Sequence, residues 1–220
     1  MYYMEICIAQ NPANKNKNKA ANLWSLLYAC LHTALGSVYS KSDITASVKS
    51  KIGVSFPDYK EKVNRNDGSV RVVLGNRLRA FANTKEELQE LFVALATELA
   101  KHKRSSNFLI KDIDLVPKKV KGYSLYTKVT SKKDLLSRIE HQVARRGVSF
   151  NEAKSAILAD LAKEDDKRRA YAFIRQKSTS NGQYYPLCIR KDKADKSAAL
   201  DGSVGFNTFG LSRTMAVPDF

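Results

Sequence analysis

Thr84-Lys85-Glu86-Glu87-Leu88-Gln89-Glu90-Leu91-Phe92-Val93-Ala94-Leu95-Ala96-Thr97-Glu98-Leu99-Ala100 is the stretch from which the fold can be read outward. Thr84 with Glu87 three residues later is a capping-box pair, in which each side chain satisfies a backbone amide of the other. Leu88, Leu91, Phe92, Leu95 and Leu99 then recur on one helical face. Lys101, Lys103 and Arg104 follow, where cations offset the negative end of the helix dipole. Upstream, Val70 to Phe81 predicts a strand region bent at Gly75-Asn76, and Ile52-Gly53-Val54-Ser55-Phe56-Pro57 a strand ended by its proline. Residues 11–19 are a polar loop. A helix is predicted over 20–35, with Leu23, Leu26, Leu27, Cys30 and Ala34 at helical spacing and Gly36 as its stop. Residues 2–9 predict a first strand and Phe108 to Val116 a last one. The order β-α-β-β-α-β predicts an α+β chain with an N-terminal ferredoxin-like domain, a layout that by itself assigns no function.

Pro117 marks a change of composition. Residues 118–147 carry nine Lys or Arg against Asp134 and Glu140 only. Lys118 to Thr130 reads as an extended basic linker. A helix is expected from Ser131-x-x-Asp134 to Gly147, and a second capping box, Ser149-x-x-Glu152, opens another to about Lys163. Strand-like runs follow at Tyr171 to Arg175, Tyr184 to Arg190 and Gly205 to Leu211. The expected organisation is a ferredoxin-like domain over 1–117 and a smaller α/β domain over 118–220 that carries the basic linker and helix.

The charge narrows the partners. Lys plus Arg number 38 against 22 Asp plus Glu, a net +16. That excess predicts a polyanionic partner. No run approaches the ~20 apolar residues of a membrane span, and the N-terminus has no signal-peptide pattern. Cys7, Cys30 and Cys188 are few and far apart, so neither a zinc site nor a disulfide framework is expected. The expected compartment is the cytoplasm. On the basic helix, Leu135, Leu136, Ile139 and Val143 share one side, while Arg138, His141 and Arg145 project from another and can follow a phosphate backbone. His32 lies opposite the apolar side of the first helix, on a face with Ser25, Tyr28 and Gly36. A lone surface histidine is ordinary. It is also the residue type that accepts a proton near neutral pH, and an RNA 2′-hydroxyl, once deprotonated, attacks its own phosphate without a metal. The run from Arg175 to Tyr185 mixes cations, hydroxyls and aromatics. It fits an RNA contact as well as a plain turn.

Together, several pieces resemble the type I-F CRISPR-associated repeat-RNA endoribonucleases, the f subtype of the Cas-six group. They are Leu31-His32-Thr33-Ala34-Leu35, Ile52-Gly53-Val54-Ser55-Phe56-Pro57-Asp58, the basic segment after Tyr123, Gly182-Gln183-Tyr184-Tyr185-Pro186-Leu187-Cys188-Ile189-Arg190, and Phe209-Gly210-Leu211-Ser212. They run in the family's order across nearly the whole chain. The resemblance implies a metal-independent, cofactor-free cut at the base of a CRISPR repeat hairpin, leaving a 2′,3′-cyclic phosphate and a 5′-hydroxyl. It implies that the mature crRNA is retained in a type I-F surveillance complex with other protein subunits. His32 falls on the family's catalytic histidine, and residues 132–146 on its arginine-rich helix. The catalytic-loop serine is assigned to Ser178, with Ser180 as the alternative. The RNA-binding set becomes Lys128, Thr130, Lys132, Arg138, His141, Gln142, Arg145 and Tyr185, with Tyr185 as the aromatic that stacks on the terminal base pair. Lys128 and Thr130 stand where the family has Arg and Gln, and Lys lacks the bidentate fork of Arg. Phe209 replaces a Tyr, so a hydroxyl able to orient His32 is absent. A non-catalytic hairpin-binding subunit and a general basic DNA- or ribosome-associated protein are the competing readings.

Overall fold

The computed structural model describes residues 1–9, 17–39, 49–63, 68, 70–129, 135–165, 171–178, 182–203 and 205–220. The first sheet contains β1 (Tyr2–Ile8), β3 (Gly53–Ser55), β6 (Arg77–Ala82) and β7 (Phe108–Leu115), in the order β3-β6-β1-β7 with every pair antiparallel. Two helices, α1 (Lys17–Tyr39) and α2 (Lys85–Ala100), pack together against it. Taking these four strands in chain order, the sheet reads 4-1-3-2. This is the split β-α-β arrangement that defines the expected ferredoxin-like layer. Met4, Ile6 and Ile8 alternate into the core from β1, and Leu88, Leu91, Leu95 and Leu99 face them from α2. Thr84 Oγ1 accepts from the Glu87 amide and the Glu87 carboxylate accepts from the Thr84 amide, so the predicted capping box is formed.

Two short ribbons decorate this layer. β2 (Lys49–Ser50) pairs with β11 (Phe206–Asn207), and β4 (Lys60–Val63) pairs with β5 (Val70–Val73). The region read as one bent strand over 70–81 is thus split at Gly75-Asn76 between β5 and β6, which lie in different sheets.

The second sheet has the order β12-β8-β10-β9, again antiparallel, from β8 (Gly122–Val129), β9 (Ala172–Lys177), β10 (Tyr184–Ala194) and β12 (Val217–Asp219). Here the linker expectation is corrected. Gly122–Val129 is an inner strand, hydrogen-bonded to β10 on one side and β12 on the other. Its lysine-rich approach hid a run in which Ser124 and Tyr126 turn inward. Pro117 lies in the connection between the sheets, but the buried core does not stop there. Leu187, Ile189, Leu211 and Val217 belong to the same apolar cluster as Met4 and Leu91. The main-chain bond from Val54 N to Gly210 O (2.9 Å) and the Tyr126 hydroxyl donating to Phe56 O (3.3 Å) tie the two parts.

Between β8 and β9 the chain makes a helical hairpin, α3 (Leu135–Arg146) and α4 (Phe150–Asp165), with its own small core of Ile139, Ala153 and Ile157. Gly147 ends α3 at φ 65°, where its amide donates to Val143 O, a left-handed stop that suits glycine. Ser149 and Glu152 form the second predicted capping box.

Candidate active site and RNA interface

The surroundings of His32 are built by α1 and the segment before β12. The expectation that its helical face is a simple outer face is corrected. Tyr28, one turn earlier on that face, is fully buried, and its hydroxyl donates to Phe209 O at 2.9 Å. Burial pushes the Tyr28 phenol well above its usual range, so it stays a donor. Next to it, Ser25 O accepts from Gln176 Nε2 at 3.3 Å. α1 is therefore sandwiched, with α2 and the first sheet on one side and β9 with the 207–212 turn on the other.

That turn is rigidly made. Asn207 Oδ1 accepts from the amides of Phe209 (2.8 Å) and Leu211 (3.2 Å), and Gly210 N donates to Asn207 O (2.8 Å). Gly210 has φ 69°, and a Cβ there would lie 2.6 Å from Val54 Cγ1. Only glycine fits both demands. The result is that two groups are presented to the half-buried His32. Thr208 O lies 2.9 Å from Nδ1, and the Phe209 ring is stacked on the imidazole with centroids 4.1 Å apart and planes 11° apart. A carbonyl oxygen only accepts, so Nδ1 must carry the proton. In the neutral ring Nε2 is then the acceptor, which is the tautomer a general base needs. The missing hydroxyl at Phe209 thus leaves the ring oriented by other means.

Phe209 also links His32 to the basic residues. Lys128 Nζ lies 5.2 Å from the Phe209 centroid and 5.8 Å from that of Tyr185. The structure therefore brings His32, Lys128, Tyr185 and Phe209 together from four separate segments of the chain. Ser178 closes β9. Its amide donates to Gln183 O (2.8 Å) and its carbonyl accepts from Gly182 N (3.0 Å). Its alternative, Ser180, lies outside the described residues, as do Thr130 and Lys132.

On α3, Ile139 is buried while His141 and Arg145 are exposed and Arg138 and Gln142 are half-buried, but Leu136, read onto the apolar side, is 64% exposed, so the two-sided division predicted by the periodicity is met only in part. Arg138 shares a cavity of about 220 Å³ with Thr127, Lys128, Arg190, Asp192 and Arg213. Arg190 Nε donates to Asp192 Oδ2 at 2.6 Å. Four cations thus surround one carboxylate at the junction of α3 and the second sheet. Sequence reasoning had not assigned Arg190 or Arg213 to the interface. Their signal was position, since Arg190 ends one motif already singled out and Arg213 directly follows another.

The family model described as "CRISPR-associated protein (Cas_Csy4)" matches residues 3–220. No curated protein sequence matches the chain. Among solved structures, one described as "An RAMP protein binding different RNA substrates" aligns over 99% of both chains at 12% identity with a TM-score of 0.37, a distant likeness. The family match runs from the first strand to the last residue, and the chain belongs to the CRISPR-associated Cas_Csy4 family.

Proposed function

We propose that this protein is a metal-independent endoribonuclease that cuts CRISPR precursor transcripts at the base of the repeat hairpin and then retains the mature crRNA as a subunit of a type I-F surveillance complex. Family membership ties the chain to CRISPR repeat RNA. The single observation that carries the cutting reaction is the His32 Nδ1 to Thr208 O contact of 2.9 Å, which leaves Nε2 as the proton acceptor.

In this reading Nε2 takes the proton of the 2′-hydroxyl at the stem base. The 2′-oxygen attacks the adjacent phosphorus and the P–O5′ bond breaks. The 5′-oxygen leaves and takes a proton from water, while the 2′-hydroxyl proton stays on Nε2, and the products are a 2′,3′-cyclic phosphate and a 5′-hydroxyl. The protonated ring keeps its donor contact to Thr208 O and its place on the electron-rich face of Phe209. Ser178 helps fix the ribose. Tyr185 stacks on the terminal base pair beside Lys128, and Arg138, His141, Gln142 and Arg145, with Thr130 and Lys132, grip the stem. The protein works in the cytoplasm, where the transcript is made.

The test is single-turnover cleavage of a repeat hairpin. His32→Ala is expected to slow cutting by about 10²–10⁴-fold, the usual contribution of a general base, while leaving hairpin affinity intact. Cutting by the unaltered protein persists in excess EDTA. Wild-type rates from the variant, or a strict metal requirement, would overturn the mechanism.

A further inference from the structure

We propose that a groove between the N-terminal turns of α1, the β4–β5 ribbon and the edge strand β9 binds the single-stranded RNA that continues from the base of the hairpin stem. The inference rests on the hairpin-cutting reading above, and extends it to a surface that the cut itself does not use.

The groove has a volume of about 1280 Å³. Its charge is one-sided. The carboxylate among its lining residues, Asp58, is already held by Arg77 through Nη2–Oδ1 (2.6 Å) and Nε–Oδ2 (3.1 Å). That pairing holds the Asp58 carboxyl below its usual range. Lys60, Lys62, Arg71 and Arg175 also line the groove, and all four side chains are exposed. Four cations, with no unpaired carboxylate among the described lining residues, call for a polyanion.

The aromatic residues say which kind. β9 alternates buried and exposed, and Phe173 and Arg175 both stand on its outer face. Phe173 is 66% exposed. Arg175 lies 4.3 Å from the centroid of Tyr184, itself 60% exposed. Large rings left open on a sheet face, among cations, are what unpaired bases stack on while their phosphates are neutralised. A duplex keeps its bases stacked inside and has no use for such rings.

The groove also opens toward the cut. Ser25 lines it, and His32 is seven residues further along the same face of α1. At 1.5 Å per residue that is about 10 Å. Gln176, which binds Ser25 O, pairs in register with Tyr185. A strand leaving the stem beside Tyr185 and His32 therefore meets the near end of the groove directly.

The experiment uses a repeat hairpin carrying a 2′-deoxy residue at the cut, so that it binds without being cleaved. It is offered blunt, with about six uridines on the 5′ side, or with about six on the 3′ side. One extended form is expected to bind about tenfold more tightly than the blunt hairpin, and its identity tells which flank occupies the groove. The triple variant Phe173→Ala, Lys60→Ala, Lys62→Ala, all at exposed positions, should abolish that gain and leave the affinity for the blunt hairpin unchanged. Equal affinity for all forms, or a gain that survives in the variant, would overturn the groove assignment. Failure to bind the blunt hairpin at all would instead overturn the reading on which it rests.

Discussion

Gly210→Ala tests whether the 207–212 turn is what holds the histidine. The backbone there has φ 69°, and the new methyl group would be built 2.6 Å from Val54 Cγ1. The left-handed conformation costs a non-glycine residue about 1–2 kcal/mol. The clash with a β-branched side chain that has little freedom to move adds about 1–3 kcal/mol. The sum of about 2–5 kcal/mol corresponds to a Tm lowered by roughly 5–15 °C for a chain of this size. The strain has one easy outlet. Gly210 O accepts from Val54 N, so the turn is stapled to β3 at the very place where the methyl pushes. Moving it away carries Thr208 O and the Phe209 ring off His32. A displacement of about 1 Å at a reacting group costs about 10²-fold in rate. The assay is single-turnover cleavage at saturating protein well below the variant's Tm, together with thermal melting and hairpin affinity, so that a loss of binding through Lys128, 5.2 Å from the Phe209 centroid, is separated from a loss of rate. Val54→Ala on the same chain removes both γ-methyls. The double variant should be less destabilised than the sum of the two singles by the clash share, about 1–3 kcal/mol, and should recover part of the rate. A Gly210→Ala protein that cuts and melts like the original, or strictly additive single effects, would refute the reasoning.

Two further predictions concern charge. Glu5 is buried in the first sheet. Burial works against its charged form, but hydrogen bonds from Lys111 (2.7 Å) and Arg79 (2.8 Å) outweigh it and hold the carboxyl below its ordinary range. A pKa lowered on folding stabilises the protein above the unfolded value of about 4.3, and that stability is lost as pH falls through the folded value. Denaturant titrations should therefore show stability dropping below about pH 4.3, and Glu5→Gln should flatten that drop. Glu5→Leu leaves Arg79 buried without its carboxylate and should cost about 3–5 kcal/mol. A Glu5→Leu variant as stable as the original would refute the pairing. Arg138→Ala should weaken hairpin binding and lower the slope of log affinity against log salt by about 1, the loss of one phosphate contact. An unchanged slope would remove Arg138 from the backbone grip.

Much of the frame was legible because it depends on local chemistry. The α2 capping box and leucine stripe sit within one short stretch. The same holds for α3, where Ile139 turns inward and His141 and Arg145 outward at helical spacing although Leu136 does not follow, and for the Ser149–Glu152 cap of α4. The β8 strand was not legible. Its flanks are rich in lysine, and its strand character comes from hydrogen bonds to β10 and β12, the latter only three residues long and almost at the end of the chain. The single region read over 70–81 divided for a similar reason, since sequence continuity says nothing about which sheet a strand joins.

The site divides in the same way. Sequence alone selected His32 and the basic face of α3, because residue type and helical phase suffice for both, and the ordered motifs joined them to one family. It could not reveal what orients the histidine. Thr208 contributes a backbone carbonyl, which every residue possesses, and Phe209 looked like a loss of function because only its missing hydroxyl was visible. Tyr28 looked like part of an outer face until a carbonyl from 181 residues away came to meet its hydroxyl. The tautomer of His32, the company of Lys128 and Tyr185, and the groove that begins two turns from His32 are all contacts between distant segments. They were decided by tertiary structure, because hydrogen bonds and stacking act over a few ångströms in space, whatever the separation along the chain.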